Sequence, residues 1–180
     1  MKLRVRNRNR GFTIVELLMA SFIFSFLMVG LMGFTRMFTQ MRHGEQAKLD
    51  LTGQARITMD QMISGIRTTG NPQRFGLLEA QGYLITGAQN ETIQLTGSDG
   101  NVRIIRRNGL NIDYLDNFAN TTVLYDPNGA AANDAAKYQT TLNFTEIVPN
   151  VIRIRLMLAK LVLGRWHHAS METDVHIRNS

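Results

Sequence analysis

Glu16 is the only charge in FTIVELLMASFIFSFLMVGLMGFT, residues 12–35. An ionised carboxylate near the centre of a bilayer costs about 2.5–3.5 kcal/mol and somewhat less toward the edge, so it needs a partner. Glu16 stands four residues after Phe12, which puts both on one helix face. Without a cationic partner it must snorkel to the interface or bond its own N-terminus. Just ahead, Gly11 follows Lys2, Arg4, Arg6, Arg8 and Arg10. Glycine breaks a helix and presents no side chain, so Gly11 marks a boundary ahead of the apolar helix. The basic residues before it favour a membrane surface.

Other residue groupings offer weaker chemistry. His167 and His168 are adjacent, so on a strand they point to opposite faces and chelate poorly; a turn beside Trp166 is the expected setting. Asp126, Asn128 and Asp134 could supply calcium oxygens, yet the fragment lacks the closing glutamate of a calcium loop and reads as an Asx turn. Arg103, Arg106 and Arg107, with Arg153 and Arg155, could form a basic patch, but no aromatic residues interleave them, and a solvated sheet face is expected. No Ser/His/Asp grouping, phosphate-cradling loop or carboxylate pair is evident, so no catalytic residue and no cofactor is expected. With no cysteine there is no disulfide or thiolate metal site.

The elements that position these residues follow from pattern. Phe12 to Phe34 spans 23 residues, about 34 Å as a helix, which is enough to cross a bilayer. Five of the twenty basic residues precede Gly11; without them 15 basic face 14 acidic residues, a net of +1. A cationic start before an apolar run keeps the N-terminus cytoplasmic and sends the rest across. The residues after the run, LMGFTRMF, contain no A-x-A cleavage site. Ala55, Met59, Met62 and Ile66 then recur at helical spacing, with Leu51, Leu49 and Met41 carrying the stripe back toward the run. Gly44 and Gly53 loosen it by about 1 kcal/mol each. The spacing predicts one helix over residues 12 to about 67, stopped by the T-T-G-N-P sequence at Thr68 to Pro72. Beyond it, strands are expected at 83–86, 92–95, 102–106, 110–114, 122–125, 140–145, 151–159 and 171–177. Ile152, Ile154, Leu156 and Leu158 should face a core with Arg153 and Arg155 opposite, and GSDGN at 97–101 should close a hairpin. The fold class is thus α+β: a long N-terminal helix packed on a small antiparallel sheet. The expected parts are a leader at 1–11, a transmembrane helix at 12–34, an amphipathic continuation at 35–70 and a β-rich domain at 71–180.

The string R-G-F-T-I-V-E-L at residues 10–17, followed by an unbroken apolar run, resembles the precursors of type IV pilins and the pseudopilins of type II secretion. The resemblance covers residues 1 to about 35. It implies that a prepilin peptidase cuts after Gly11 on the cytoplasmic side and methylates the new amine of Phe12. It also implies that Glu16 is a subunit-docking residue, pairing with the terminal ammonium of a neighbour when the chain enters a filament core of low dielectric. Ser21 and Ser25 would let helices approach closely. Many major pilins have a proline where this chain has Gly30 and Gly33, so local unwinding there is encoded less strongly.

A looser resemblance, over residues 55–72 and 147–179, is to the W-type minor pilins, which help to initiate pilus assembly. J-type pseudopilins of type II secretion and a subunit of a DNA-uptake pilus are the alternatives, as is a signal-anchored protein that never polymerises. The implied partners are other minor and major pilins, the prepilin peptidase, the pilus assembly machinery and inner-membrane lipid; nucleic acid is not expected. The implied location is the inner membrane with a periplasmic C-terminal domain, then the filament or its tip. Near the chain end, Arg178 would either pair with a helix carboxylate such as Asp60 or be solvated.

Overall fold

A computed structural model describes residues 12–68, 71–116, 120–127 and 136–178. One helix, α1, runs Ile14–Ser64. The chain divides into two compact units, Met1–Arg42 and His43–Ser180, and α1 contributes to both. In the first unit the helix is apolar and exposed on all sides, and it is long and apolar enough to cross a membrane.

In the second unit α1 buries Gly44, Ala47, Leu51, Ala55, Thr58, Met59 and Met62. These recur every three or four residues, so they form one stripe against the sheets. Leu49 and Met41, expected on that stripe, are 70% and 59% exposed. Small residues took their place because the helix lies close to the sheet at this end. A methyl added at Gly44 would meet the His167 ring at 2.8 Å.

The helix stops at Ser64, slightly before the expected end, because Gly65 turns the chain with φ 78°. A Cβ on Gly65 would lie 2.1 Å from the Phe75 carbonyl carbon, and one on Gly76 would lie 2.3 Å from the Gly65 nitrogen. The two glycines therefore pack backbone to backbone. Ile66 leaves the helix and enters a short hairpin, β1 (Ile66–Thr68) with β2 (Asn71–Phe75).

Two antiparallel meanders follow. The first is β3 (Gly82–Thr86), β4 (Thr92–Thr96), β5 (Val102–Asn108), β6 (Asn111–Asp116) and β7 (Asn120–Tyr125), side by side in chain order. The second is β8 (Tyr138–Val148), β9 (Val151–Val162) and β10 (Arg165–His176). Residues 97–101 close the β4–β5 hairpin as expected, with Gly100 at φ 72°. Along β9, Ile152, Ile154, Leu156 and Leu158 are buried, while Arg153 and Arg155 face outward and pair with Asp174 and Glu172. The sheets are tied together where the Tyr83 hydroxyl donates to Glu146 at 2.5 Å and the Phe144 N–H donates to the Asn90 carbonyl at 2.9 Å.

Two further expectations fail in this unit. His167 and His168 lie within β10, not in a turn, because all twelve residues of β10 pair in register with β9. The turn is Leu163–Gly164, with φ of 50° and 77°. Arg103 is not on a solvated face: it is 2% exposed and points inward. Its guanidinium holds Asp99 through Nη2 at 2.7 Å and Asp116 through Nε at 3.2 Å, and it stacks 3.9 Å from the Phe75 ring centroid. The Tyr114 hydroxyl donates to the Phe75 carbonyl at 3.2 Å, so the end of β2 is clamped to the larger sheet from both sides.

Candidate functional site

The residues expected to carry assembly chemistry lie at the start of α1. Phe12 and Thr13 precede the helix, and Phe12 is 85% exposed. Gly11, the other residue of the expected cleavage site, lies outside the described residues, as does the rest of the leader.

Glu16 is engaged locally. Its Oε2 accepts the Thr13 N–H at 3.1 Å and the Thr13 hydroxyl at 3.2 Å, while Thr13 Oγ1 accepts the Glu16 N–H at 3.2 Å. This reciprocal arrangement is a capping box: a Thr cap and a Glu three residues on satisfy two backbone donors that the first helical turn leaves open. Glu16 thus bonds its own N-terminus, one of the two fates open to it without a cation. A carboxylate has about four acceptor sites, so the cap does not exhaust it. Both contacts use Oε2, and Oε1 makes no hydrogen bond among the described residues. Thr13 is the residue that the sequence reading passed over, although T-I-V-E at residues 13–16 carries the capping-box spacing openly.

Along the apolar run, the hydroxyls expected at helix contacts are already occupied. Ser21 donates to the Leu18 carbonyl at 2.9 Å, and Ser25 donates to the Ser21 carbonyl at 2.8 Å. With their donors spent inside the helix, these serines contribute small size more than polar glue. Gly30 and Gly33 are helical and would each accept a methyl without meeting any atom within 4 Å. The exposed face, including Phe22, Phe26, Val29 and Met32, is far larger than a soluble monomer leaves bare, so lipid or other protein must cover it.

The remaining candidates are dispersed. Asp126 is exposed, and Asn128 and Asp134 lie outside the described residues. Among the described residues no group of three His, Asp or Glu side chains could hold a metal ion. The arginines are divided between two sheets, Arg103 on β5 and Arg153 and Arg155 on β9, and all three are ion-paired. Arg178 is exposed, and Asp60 accepts the Ser64 hydroxyl at 3.3 Å.

No curated protein and no solved structure matches the chain. Residues 6–32 match the family described as the prokaryotic N-terminal methylation motif. The matched stretch contains Gly11, Phe12, Thr13, Glu16 and most of the apolar run, and residues 33–180 lie outside it.

Proposed function

We propose that this chain is a minor pilin of the W type, a structural subunit that helps to start a type IV pilus. Cleavage after Gly11 frees the Phe12 amine, which is then methylated and remains cationic. The subunit waits in the inner membrane through residues 12–34, with its β-rich domain on the periplasmic side. There Glu16 is held by Thr13, which keeps the carboxylate hydrogen-bonded in a medium that otherwise penalises it. When the subunit is drawn into a filament, Glu16 takes the terminal ammonium of a neighbouring pilin, and water exclusion strengthens that pair. A misplaced subunit would leave the charge without its partner.

The observation that carries this reading is the position of Glu16, one turn beyond a non-helical Phe12 inside an exposed apolar helix that matches the methylation motif. The W-type part of the reading rests on the sequence pattern of residues 55–72 and 147–179 alone. The test is Glu16→Ala: membrane insertion is retained and co-purification with other pilins is lost. Co-purification at the wild-type level would contradict the docking role.

A further inference from the structure

The β9–β10 hairpin reaches past the strand beside it. β8 pairs with β9 only as far as Lys160, whereas β10 goes on to pair Trp166 with Leu161 and Arg165 with Val162. Among the described residues, these last two rungs and the Leu163–Gly164 turn thus form a two-stranded tip. Leu163 is 66% and Trp166 41% exposed, Arg165 is exposed, and half-buried Leu161 stands beside Trp166 on one strand face.

The turn is built at a cost. Leu163 and Gly164 both have positive φ, 50° and 77°, in a two-residue turn that favours Asn-Gly. A leucine is disfavoured in that region. The chain accepts this strain to carry an apolar side chain at the outermost point of the hairpin, and such strain collects where a surface meets a ligand.

The tip lies at the end of the unit where the chain enters it. Leu161, Val162 and Leu163 border one cavity with His43 and Gln46, and the His167 ring lies 2.8 Å from a methyl built on Gly44. Before His43, exposed apolar side chains of α1 continue through Met37, Phe38 and Met41. His43 is nine residues beyond Phe34, about 13 Å along a helix, and only two beyond Met41, about 3 Å. The headgroup layer adds about 5–7 Å to each side of the hydrocarbon. The chain path alone therefore keeps the start of this unit close to any bilayer that holds residues 12–34.

A bilayer is also the surface these residues suit. Four side chains are too few for a stable protein interface, which takes about 20–30 residues a side. Tryptophan is enriched at headgroup level, leucine enters the acyl boundary, and arginine meets lipid phosphate. We propose that the β9–β10 tip rests in the headgroup layer of the membrane that α1 spans, with Leu163 and Trp166 entering the acyl boundary and Arg165 at the phosphates. Tethered by α1, the tip needs little affinity of its own. The proposal rests on the membrane anchoring in the reading above and not on the role of Glu16.

Trp166 is the only tryptophan in the chain, so its fluorescence reports on the tip directly. The test uses the full chain, one copy per phosphatidylcholine nanodisc, with lipids brominated near the headgroup end of the acyl chain, near its far end, or not at all. Bromine near the headgroups should quench Trp166 at least twofold, and bromine at the far end should quench it less. Leu163→Asn, which suits the turn, should raise the melting temperature while cutting that quenching at least by half. Emission unmoved by either bromine position, stronger quenching from the far end, or quenching unchanged in a more stable Leu163→Asn protein would overturn the proposal. Size-exclusion chromatography separates the two failures: a chain that migrates with the discs but keeps an unquenched Trp166 refutes the tip contact alone, whereas a chain that stays out of the discs refutes the anchoring as well.

Discussion

Replacing Arg103 with methionine should be among the most damaging single changes in the β-rich unit. The guanidinium is 2% exposed, while its partners Asp99 and Asp116 are 40% and 13% exposed. Removing one member of a buried ion pair costs about 3–5 kcal/mol, because the other charge stays desolvated. The Asp99 contact contributes little of that, since water reaches the carboxylate and screens it. Asp116 is the more costly orphan, and the stacking on Phe75 adds about 1–2 kcal/mol. Methionine restores some apolar contact, so the net loss should be about 3 kcal/mol. At about 4 °C per kcal/mol for a domain of this size, the melting temperature should fall by about 12 °C. Near-ultraviolet circular dichroism of the full chain in detergent reads the transition. Arg106→Met is the control, since Arg106 is only half-buried and its Nε already lacks a hydrogen-bond partner. A loss below about 1 kcal/mol for Arg103→Met, matching Arg106→Met, would refute the clamp.

Burial pushes the Tyr114 and Tyr125 hydroxyls up to about 12, so an absorbance titration should show two tyrosines ionising well above the usual 10. Because those folded values are raised, the stability they contribute is present below pH 10 and should be lost as pH rises from about 10 to 12. The Arg103 guanidinium holds the Asp99 carboxyl far below the ordinary carboxylate range, so its contribution should be complete above about pH 4 and decline in stronger acid. Because water screens this exposed carboxylate, acid melts should show only a small decline from it, and Asp99→Asn should lessen the decline without abolishing it. Gly65→Ala should destabilise by more than about 3 kcal/mol or prevent folding, since the methyl meets backbone at 2.1 Å and φ is 78°. Gly53→Ala, in open space, should instead stabilise by about 0.5–1 kcal/mol in the same thermal melt.

Much of the fold was legible because pattern and environment agreed. The alternation in β9 reports a strand with one face buried, and the Gly-rich turn at 97–101 reports a hairpin. Features set by distant partners were harder to read. The second half of β10 was expected as a strand at 171–177, but its start at Arg165 was not, because its length is set by register with β9. β2 begins Asn-Pro, which reads as a stop, yet it pairs antiparallel with β1. Arg103 looks solvated until Asp99, Asp116 and Phe75 converge on it from three separate segments. Gly44 looks like a weak point in a helix until His167 is seen against it. At the N-terminus the spacing of Gly11, Phe12 and Glu16 was open to reading, because that chemistry is local. The engagement of Glu16 by Thr13 is equally local and is carried by the T-I-V-E spacing at residues 13–16.

The proposed pairing of Glu16 requires a new cationic end at Phe12, and intact mass analysis of the membrane-extracted protein tests this directly. The expected species begins at N-methylated Phe12 and lacks residues 1–11. A membrane-inserted population that retains Met1 to Gly11, in cells with an active prepilin peptidase, would remove the ammonium that Glu16 is proposed to meet and would contradict the assembly mechanism.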